Sequence, residues 1–358
     1  MKHRFPYNWT LKDAVFTKDK GTVFSCFACG GGSTMGYKLA GFDVLGCNEI
    51  DPKMIEAYKI NHNPKYAFLE SIQTFKFRND LPNELYKLDI LDGSPPCSSF
   101  SISGNRENDW GKEKVFKEGQ AKQVLDTLFF DFIDLAKKLQ PKVVIAENVK
   151  GLLMGEAKGY VRKIYQEFEN AGYYVQHWLL DGSKMGVPQK RERIFFIALR
   201  NDLADIFLTQ LDMFTVVPKL DLNFDEEKIT FDKVFKNYTD RPLSENMRKI
   251  WELRKNGDGS FEDINLREFG RPYLHFNYKF IYKDDDSINT ITGSDLCVLF
   301  DQPRHRNFDE LCECGSYPKD YDFLKNKPEY LIGMSVPPVM MAQIARQVYI
   351  QWLSKINN

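Results

Sequence analysis

The chain has 358 residues, of which 43% are hydrophobic and 28% are charged, so it can form one large domain and a smaller one. With a formal net charge of −1, any nucleic-acid surface must come from local clusters of basic residues. The 7 cysteines give no disulfide framework, no apolar run approaches the roughly 20 residues that span a bilayer, and nothing at the N-terminus resembles a signal peptide. Composition therefore predicts a soluble, cytoplasmic protein of a reducing compartment.

A run of glycines dominates the first regular elements. Residues 21–27 predict a buried strand, and the turn Cys29-Gly30-Gly31-Gly32 leads into a helix over 34–40. Glycines at such a turn let a ligand approach the backbone, and the helix N-terminus favours anionic groups. A second strand, over 42–48, ends in Glu49, and an acid about 20 positions after such a turn suits the hydroxyls of a ribose. The pattern indicates a nucleotide or cofactor site.

Strands and helices continue to alternate as far as residue 200. After a helix from Asp51-Pro52, the remaining predicted elements are a strand over 86–91, a helix over 121–140, a strand over 141–146, a helix over 159–170 and strands over 173–180 and 194–199. This alternation predicts an α/β fold with a doubly wound, mainly parallel sheet. Because only a short connection joins the last two strands, we expect that pair to be antiparallel.

Three of these strands border polar or reactive groups. The strand over 86–91 precedes the turn Gly93-Ser94-Pro95-Pro96-Cys97, the strand over 141–146 precedes Glu147-Asn148-Val149, and Gln189-Lys190-Arg191-Glu192-Arg193 precedes the last strand. Open α/β sheets bind ligands at the carboxyl ends of their strands, which favours a reactive Cys97. On Pro-Pro-Cys alone, an inert loop cysteine is about as well supported.

The cysteines also permit a metal site. Cys26-x-x-Cys29 and Cys312-x-Cys314 could together supply four thiolates. Cys26, however, lies inside a predicted buried strand, and Cys312-x-Cys314 lacks the usual ligand spacing. We therefore expect these cysteines to be packing residues and expect no metal.

In joint order, these motifs resemble those of the DNA (cytosine-5) methyltransferase family. The resemblance rests on the glycine turn with Glu49, on Gly93 to Ser101, on Glu147-Asn148-Val149, on residues 189–193 and on the closing segment Leu331 to Pro338. It implies a Rossmann-like sheet that binds S-adenosylmethionine, without a metal, and a smaller inserted target-recognition domain. The implied reaction is methyl transfer to carbon 5 of a cytosine flipped out of duplex DNA.

The resemblance assigns a task to each catalytic candidate. Cys97 would add as a thiolate to carbon 6 of the ring, which makes carbon 5 nucleophilic. Glu147 would supply a proton at ring nitrogen 3, and Arg193 would hold the ring oxygen. Arg191 is the weaker candidate, because one of two alternating arginines in a strand faces away. The polar segment 101–112 would close over DNA as a loop.

The resemblance also implies a set of cofactor contacts. The residues predicted to line the S-adenosylmethionine site are Phe27, Ala28, Cys29, Gly30, Gly32, Glu49, Ile50, Ser71, Ile72, Pro96, Leu128 and Ser335. Four positions depart from the family pattern, since Cys29 replaces a glycine, Ser71 an aspartate, Met334 an asparagine and Ser98 a glutamine. These departures concern cofactor affinity, not the covalent chemistry.

We divide the chain into four predicted parts. They are an N-terminal extension (1–20), a catalytic domain (21–200), a target-recognition domain (201–300) and a segment that returns to the catalytic domain (301–358). In the third part, basic residues such as Arg241, Arg254 and Arg271 recur among aromatic ones, including Tyr273 and Phe276, which suits either DNA contact or a solvated face.

The expected partner is double-stranded DNA, and we expect the protein to act as a monomer. It should bind no membrane and should associate with the bacterial nucleoid when it is bound to DNA. A cognate restriction endonuclease is a further candidate partner. Two alternatives remain open: an RNA (tRNA) cytosine-5 methyltransferase, and a sequence-specific DNA-binding protein with weakened catalysis, which the replacements at Ser71 and Met334 would favour.

Overall fold

The structure is a computed structural model. It describes residues 3–96, 127–154, 157–210, 212, 215–272, 277–284 and 288–356, with the backbone alone of 113–114, 123–124 and 157–158. The chain divides into two compact units. We call the first the sheet unit (Val15–Asp181, Glu192–Phe224, Met340–Asn358) and the other the insertion unit (Met1–Ala14, Gly182–Arg191, Asp225–Val339). The four-part division by sequence stays a prediction.

A seven-stranded sheet forms the centre of the sheet unit. Its strands are β1 (Thr22–Cys26), β2 (Asp43–Glu49), β3 (Tyr66–Leu69), β4 (Ile90–Gly93), β7 (Val143–Val149), β8 (Tyr173–Asp181) and β9 (Glu192–Arg200), in the spatial order β3-β2-β1-β4-β7-β9-β8. The first five are parallel, whereas β9 runs antiparallel to both β7 and β8. The predicted α/β class and the antiparallel last pair are confirmed.

Short strands lie outside this sheet. They are β5 (Glu113–Lys114), β6 (Gln123–Val124), β10 (Leu208–Gln210), β11 (Val216–Pro218), β12 (Lys279–Ile281) and β13 (Cys297–Leu299). The α-helices are α1 (Gly32–Leu39), α2 (Pro52–His62), α3 (Ile72–Phe75), α4 (Leu128–Leu139), α5 (Ala157–Asn170), α6 (Phe231–Val234), α7 (Glu245–Trp251), α8 (Phe261–Phe269), α9 (Phe308–Cys314), α10 (Pro328–Met334), α11 (Pro338–Val348) and α12 (Ser354–Ile356). Every helix in the part of the chain that the structure describes is too short or too polar to span a bilayer.

Two predicted elements are wrong in extent. The predicted strand over 86–91 begins with a 3₁₀ helix, Asn83–Lys87, which buries Leu85, and the strand itself starts at Ile90. The predicted helix over 121–140 begins at Leu128, and Gln123–Val124 forms a short strand instead. Where α4 exists, its apolar residues Leu128, Ile133 and Leu139 are all buried.

The core of the sheet unit lies between α4 and the sheet. Phe129 and Phe132 pack with sheet residues such as Leu91, Val144 and Phe196 in one cluster of buried apolar side chains. Gly93 lets α4 approach closely, because a Cβ at Gly93 would come within 2.5 Å of the Phe132 ring. This packing holds the end of β4, from which the Pro-Pro-Cys turn departs.

The insertion unit encloses charged residues. Arg304 and Glu310 are both fully buried, and the guanidinium donates to both carboxylate oxygens at 2.7 and 2.9 Å. Glu310 also accepts from the backbone of Asn307 at the start of α9 and from the backbone of Lys236, each at 2.8 Å. A second buried pair joins Arg306 to Asp295. Such pairs are stable only while every partner is present.

We predict that Arg304→Met lowers the free energy of unfolding by about 3–5 kcal/mol, because it leaves the buried Glu310 carboxylate unpaired. In the double variant Arg304→Met/Glu310→Gln, the neutral amide at position 310 can still accept from the backbone at the start of α9. Most of the lost free energy of unfolding should therefore be recovered. Urea unfolding measures both variants. Equal stabilities of the single and double variants would contradict the account.

Candidate functional site

The predicted glycine turn follows β1 and carries unusual backbone angles. Phe27, Cys29 and Gly31 have φ of 53°, 49° and 87°. Glycine adopts this left-handed region readily, whereas phenylalanine and cysteine do so at an energetic cost. The surroundings must therefore hold Phe27 and Cys29 in place. The replacement of a glycine by Cys29, noted from the sequence, falls at one of these left-handed positions.

The carboxylate of Glu49, at the end of β2, fixes this turn. One oxygen accepts from the backbone N–H of Cys29 at 2.7 Å, and the other accepts from Ile50 and Asp51 at 2.8 and 2.9 Å. Burial raises the pKa of Glu49 above its ordinary value, and the three N–H donors oppose that shift by favouring the charged form. Glu49 therefore joins the loops that follow β1 and β2.

One face of α2 supports the turn from beneath, a feature that the sequence analysis missed. Met54 Sδ lies 3.7 Å from Cys29 Sγ, Tyr58 Oη lies 2.9 Å from Thr34 Oγ1, and His62 Nε2 donates to Gly30 O at 3.1 Å. Burial lowers the pKa of His62 to about 3, so the ring is neutral at physiological pH. The spacing of four residues, which puts 54, 58 and 62 on one helix face, was the available signal.

The other predicted cofactor residues are placed by packing and capping. Ser71 caps α3 and accepts from Gln73 N at 3.3 Å, while Glu70, beside it, pairs with Arg78 at 3.0 Å. Ile72 and Leu128 open α3 and α4 and are 2% and 0% exposed, within the core of the sheet unit. Ala28 and Gly32 are buried in the turn itself.

Glu147 and Arg193 are brought together by the antiparallel pairing of β7 and β9. Val149 lies opposite Arg193 in the ladder, and Arg193 Nε lies 2.9 Å from Glu147 Oε1. Both side chains are largely buried, at 11% and 17% exposure for Glu147 and Arg193. An acid and a guanidinium thus meet at the carboxyl end of β7, where the sheet topology places ligands.

Asn148 connects this pair to the Pro-Pro-Cys turn. Its side-chain amide is buried and donates to Pro95 O at 3.2 Å, while its oxygen accepts from Val149 N at 2.8 Å. Pro96 is half-buried. Cys97 and the predicted closing loop 101–112 lie outside the described residues. Asn148 was absent from the predicted site residues, although its position next to Glu147 was a signal.

Arg191 and Ser335 belong to the insertion unit. Arg191 is 2% exposed, and its guanidinium donates to the carbonyls of Ile291, Gly333 and Ser335 at 3.1, 2.9 and 2.8 Å. The Ser335 hydroxyl donates to Leu331 O at 2.8 Å. These contacts favour a role for Arg191 in holding the closing segment in place, rather than the catalytic role predicted for it.

Some of the basic residues predicted to face DNA are engaged within the insertion unit. Arg241 lies 3.7 and 3.6 Å from carboxylate oxygens of Asp295 and Glu329. Arg254 stacks on Trp251, 3.2 Å from the ring centroid, and donates to Phe300 O at 2.6 Å. Arg271 is exposed, and Tyr273 and Phe276 lie outside the described residues. Arg271 is therefore the better placed of the three arginines for DNA.

The four cysteines that were considered as metal ligands are mostly buried thiols. Cys26, Cys312 and Cys314 are buried, and burial raises the pKa of Cys314 to about 12. Among the described residues, no group of three or more His, Cys, Asp and Glu side chains could hold a metal ion.

Comparisons with known proteins agree with these motifs. A family model described as C-5 cytosine-specific DNA methylase matches residues 21–349. The type II methyltransferase M.FnuDI of Fusobacterium nucleatum is 36% identical over 51% of this chain. The matched part of the chain spans about half, 47%, of the length of that relative. M1.HphI of Haemophilus parahaemolyticus is 27% identical over 91% of this chain and 86% of its own.

Solved structures share the fold. A DNMT2 variant from Spodoptera frugiperda superimposes with a TM-score of 0.62 at 17% identity, over 92% of this chain and 99% of that one.

We predict that Gly31→Ala disrupts the turn, because its Cβ would lie 2.2 Å from His62 Nε2 at a φ of 87°. The backbone strain alone costs roughly 1–3 kcal/mol. Calorimetric affinity for S-adenosylmethionine should fall, together with the melting temperature. Gly159→Ala is the matched control, since a Cβ at Gly159, on helix α5, meets nothing within 4 Å. A Gly31→Ala protein as stable and as tight-binding as the control would contradict the account.

Proposed function

Since the chain belongs to the C-5 cytosine-specific DNA methylase family, we propose that it transfers a methyl group from S-adenosylmethionine to carbon 5 of a cytosine in duplex DNA. The target base would be flipped out of the helix, because carbon 5 and carbon 6 cannot be reached while the base is stacked. Cys97 would form the covalent adduct that activates the ring.

The contact between Glu147 and Arg193 is the observation that best supports this proposal. It joins an acid and a cation 2.9 Å apart at the end of β7, and the neighbouring Asn148 holds Pro95, two residues before Cys97. Three motifs that are distant in sequence thus converge within the sheet unit. A nucleophile, an acid and an oxygen-binding cation are the groups that addition to a cytosine ring requires.

The glycine turn fits the cofactor. Within the described residues, no side chain caps the N-terminus of α1, so the first amides of this helix suit the carboxylate of the methionine moiety. The Glu49 carboxylate, fixed by three N–H groups, retains acceptor capacity for ribose hydroxyls. When bound, S-adenosylmethionine supplies an electrophilic methyl group on a sulfonium.

The chain's own residues would carry the remaining steps. Cys97 Sγ bonds to carbon 6, Glu147 gives a proton to ring nitrogen 3, and the resulting enamine makes carbon 5 nucleophilic. Arg193 binds the ring oxygen as charge develops. After methyl transfer, a proton leaves carbon 5, the thiolate leaves carbon 6 and ring nitrogen 3 returns its proton to Glu147, which restores the aromatic ring. The atoms balance with one methyl gained and one proton released.

Recognition would come from the predicted domain over 201–300, most of which lies in the insertion unit. Side chains that read base edges and those that touch phosphates make different contributions to affinity. Arg241 and Arg254 already have acidic or aromatic partners within the insertion unit. Arg271 is therefore our first candidate for a DNA contact.

We predict that Cys97→Ser reduces transfer of a tritiated methyl group to duplex DNA to background, because a hydroxyl is far less nucleophilic than a thiolate. DNA binding, measured by gel shift, should persist. Duplex containing 5-fluorocytosine should trap an adduct with the parent alone. An adduct formed by Cys97→Ser would rule out Cys97 as the nucleophile, and methylation of a tRNA transcript but not of DNA would favour the RNA alternative.

A second prediction concerns the acid. Glu147→Gln should lower methyl transfer by about 100- to 10,000-fold, the usual contribution of general acid catalysis. The affinity for S-adenosylmethionine should change little, because the cofactor contacts lie on other strands. If the variant lost cofactor affinity to the same extent as activity, Glu147 would have a structural role instead.

A further inference from the structure

Asp92, on β4, is a buried carboxylate to which neither the motif analysis nor the proposed mechanism assigns a role. It is 1% exposed and accepts from Ser25 Oγ at 2.7 Å and from Tyr37 Oη at 3.1 Å. Ser25 lies directly opposite Asp92 in the parallel pairing of β1 and β4. A carboxylate in a strand with no surface exposure costs free energy, so its retention at this place calls for an explanation.

The three residues belong to the elements that surround the predicted site. Ser25 lies two residues before Phe27, where the glycine turn starts, and Tyr37 lies on α1, which the same turn enters. Asp92 lies on the strand that leads through Gly93 into the Pro-Pro-Cys turn. One carboxylate therefore links β1, which leads into the glycine turn, with α1 and with β4, which leads into the Pro-Pro-Cys turn.

The surroundings of Asp92 hold few charges to offset its own. Burial raises the pKa of Asp92 to about 7, opposed by the Ser25 and Tyr37 hydroxyls and by Ser33. The titratable groups that interact electrostatically with Asp92 are, by element, Cys26 on β1, Tyr37 on α1, Tyr58 on α2 and Glu147 on β7. Each of these is neutral or anionic, so none stabilises an ionised Asp92 by opposite charge.

Resting on the proposed function, we propose that Asp92 is a positioning residue for methyl transfer, whose carboxylate holds the glycine turn and α1 in register with the strand that carries the nucleophile turn. An ionised carboxylate accepts from both hydroxyls at once. On protonation, one oxygen becomes a donor and one of the two hydrogen bonds is lost or reversed. The start of α1 then loosens, and S-adenosylmethionine binding weakens.

The sign of the stability effect follows from the pKa. The folded-state pKa of about 7 lies above the ordinary value of 3.8, so the folded state binds a proton more tightly than the unfolded state. Stability from this group is fully present below pH 3.8 and is lost as the pH rises to about 7. Cofactor binding should show the opposite trend and strengthen as Asp92 ionises, so the protein would exchange stability for affinity near neutral pH.

The test compares Asp92→Asn with Asp89→Asn in the full chain. Asp89 is also buried and precedes the same strand, but it binds Thr22 N and Lys142 Nζ at 2.8 and 2.7 Å, at the edge of the sheet away from the glycine turn. Calorimetry gives the S-adenosylmethionine affinity from pH 6 to 8.5, and thermal unfolding of the ligand-free proteins gives stability over the same range. Titration of the ligand itself affects all proteins alike.

The parent and Asp89→Asn should bind about tenfold more tightly at pH 8.5 than at pH 6, the value of one hydrogen bond to a charged group. Asp92→Asn should lose this dependence and bind at the weaker level throughout. Its stability relative to the parent should increase with pH up to about 7. Should Asp92→Asn fail to fold, Tyr37→Phe and Ser25→Ala each remove one donor and should weaken binding at pH 8.5.

Two outcomes distinguish a failure of the proposed function from a failure of the role assigned to Asp92. A parent that does not bind S-adenosylmethionine at any pH would refute the proposed function. A parent that binds, with Asp92→Asn equal to it in affinity and in pH dependence, would overturn the role of Asp92 and leave the proposed function intact.

Discussion

The three hydrogen bonds accepted by the Glu49 carboxylate are the constraint on which the candidate site depends. They tie Cys29, in a strained left-handed conformation, to the start of the loop that leads into α2. Asp51 then caps α2 by accepting from Lys53 N at 2.8 Å. The helix so started presents Met54, Tyr58 and His62 to the glycine turn. The Glu49 carboxylate thus fixes both the glycine turn and the loop before α2, and α2 in turn supports the glycine turn.

The direction of β9 has an equally direct consequence for the chemistry. In a parallel strand, Arg193 would sit at the amino edge of the sheet, far from the end of β7. Because β9 is antiparallel to β7, its first residues lie beside the last residues of β7, and Arg193 reaches Glu147. A single reversal within a mainly parallel sheet therefore adds a cation to the edge where β7 ends in an acid and β4 leads into the Pro-Pro-Cys turn.

The sequence was sufficient where local patterns decide the structure. Continuous apolar runs identified β1, β2 and β7, and the glycine turn and Glu49, predicted together from the sequence, are in contact in the structure. The start of β4 was misplaced because Leu88 and Ile90 are apolar with a spacing of two, as in a strand, whereas residues 83–87 form a 3₁₀ helix. Asp92 was overlooked because a buried acid is recognisable only once its donors, Ser25 and Tyr37, are known from the tertiary fold. The Arg304–Glu310 pair was unforeseen for the same reason, since an arginine beside acids in sequence normally indicates a solvated surface.

Bisulfite sequencing of DNA from cells that express the chain tests whether the protein methylates cytosine in DNA, because it reports both the chemistry and the target base. We expect cytosines protected from conversion at one short sequence throughout the genome, and none in cells that express Cys97→Ser at the same level. Full conversion of every cytosine in cells with abundant, folded parent protein would contradict the assignment as a DNA cytosine-5 methyltransferase.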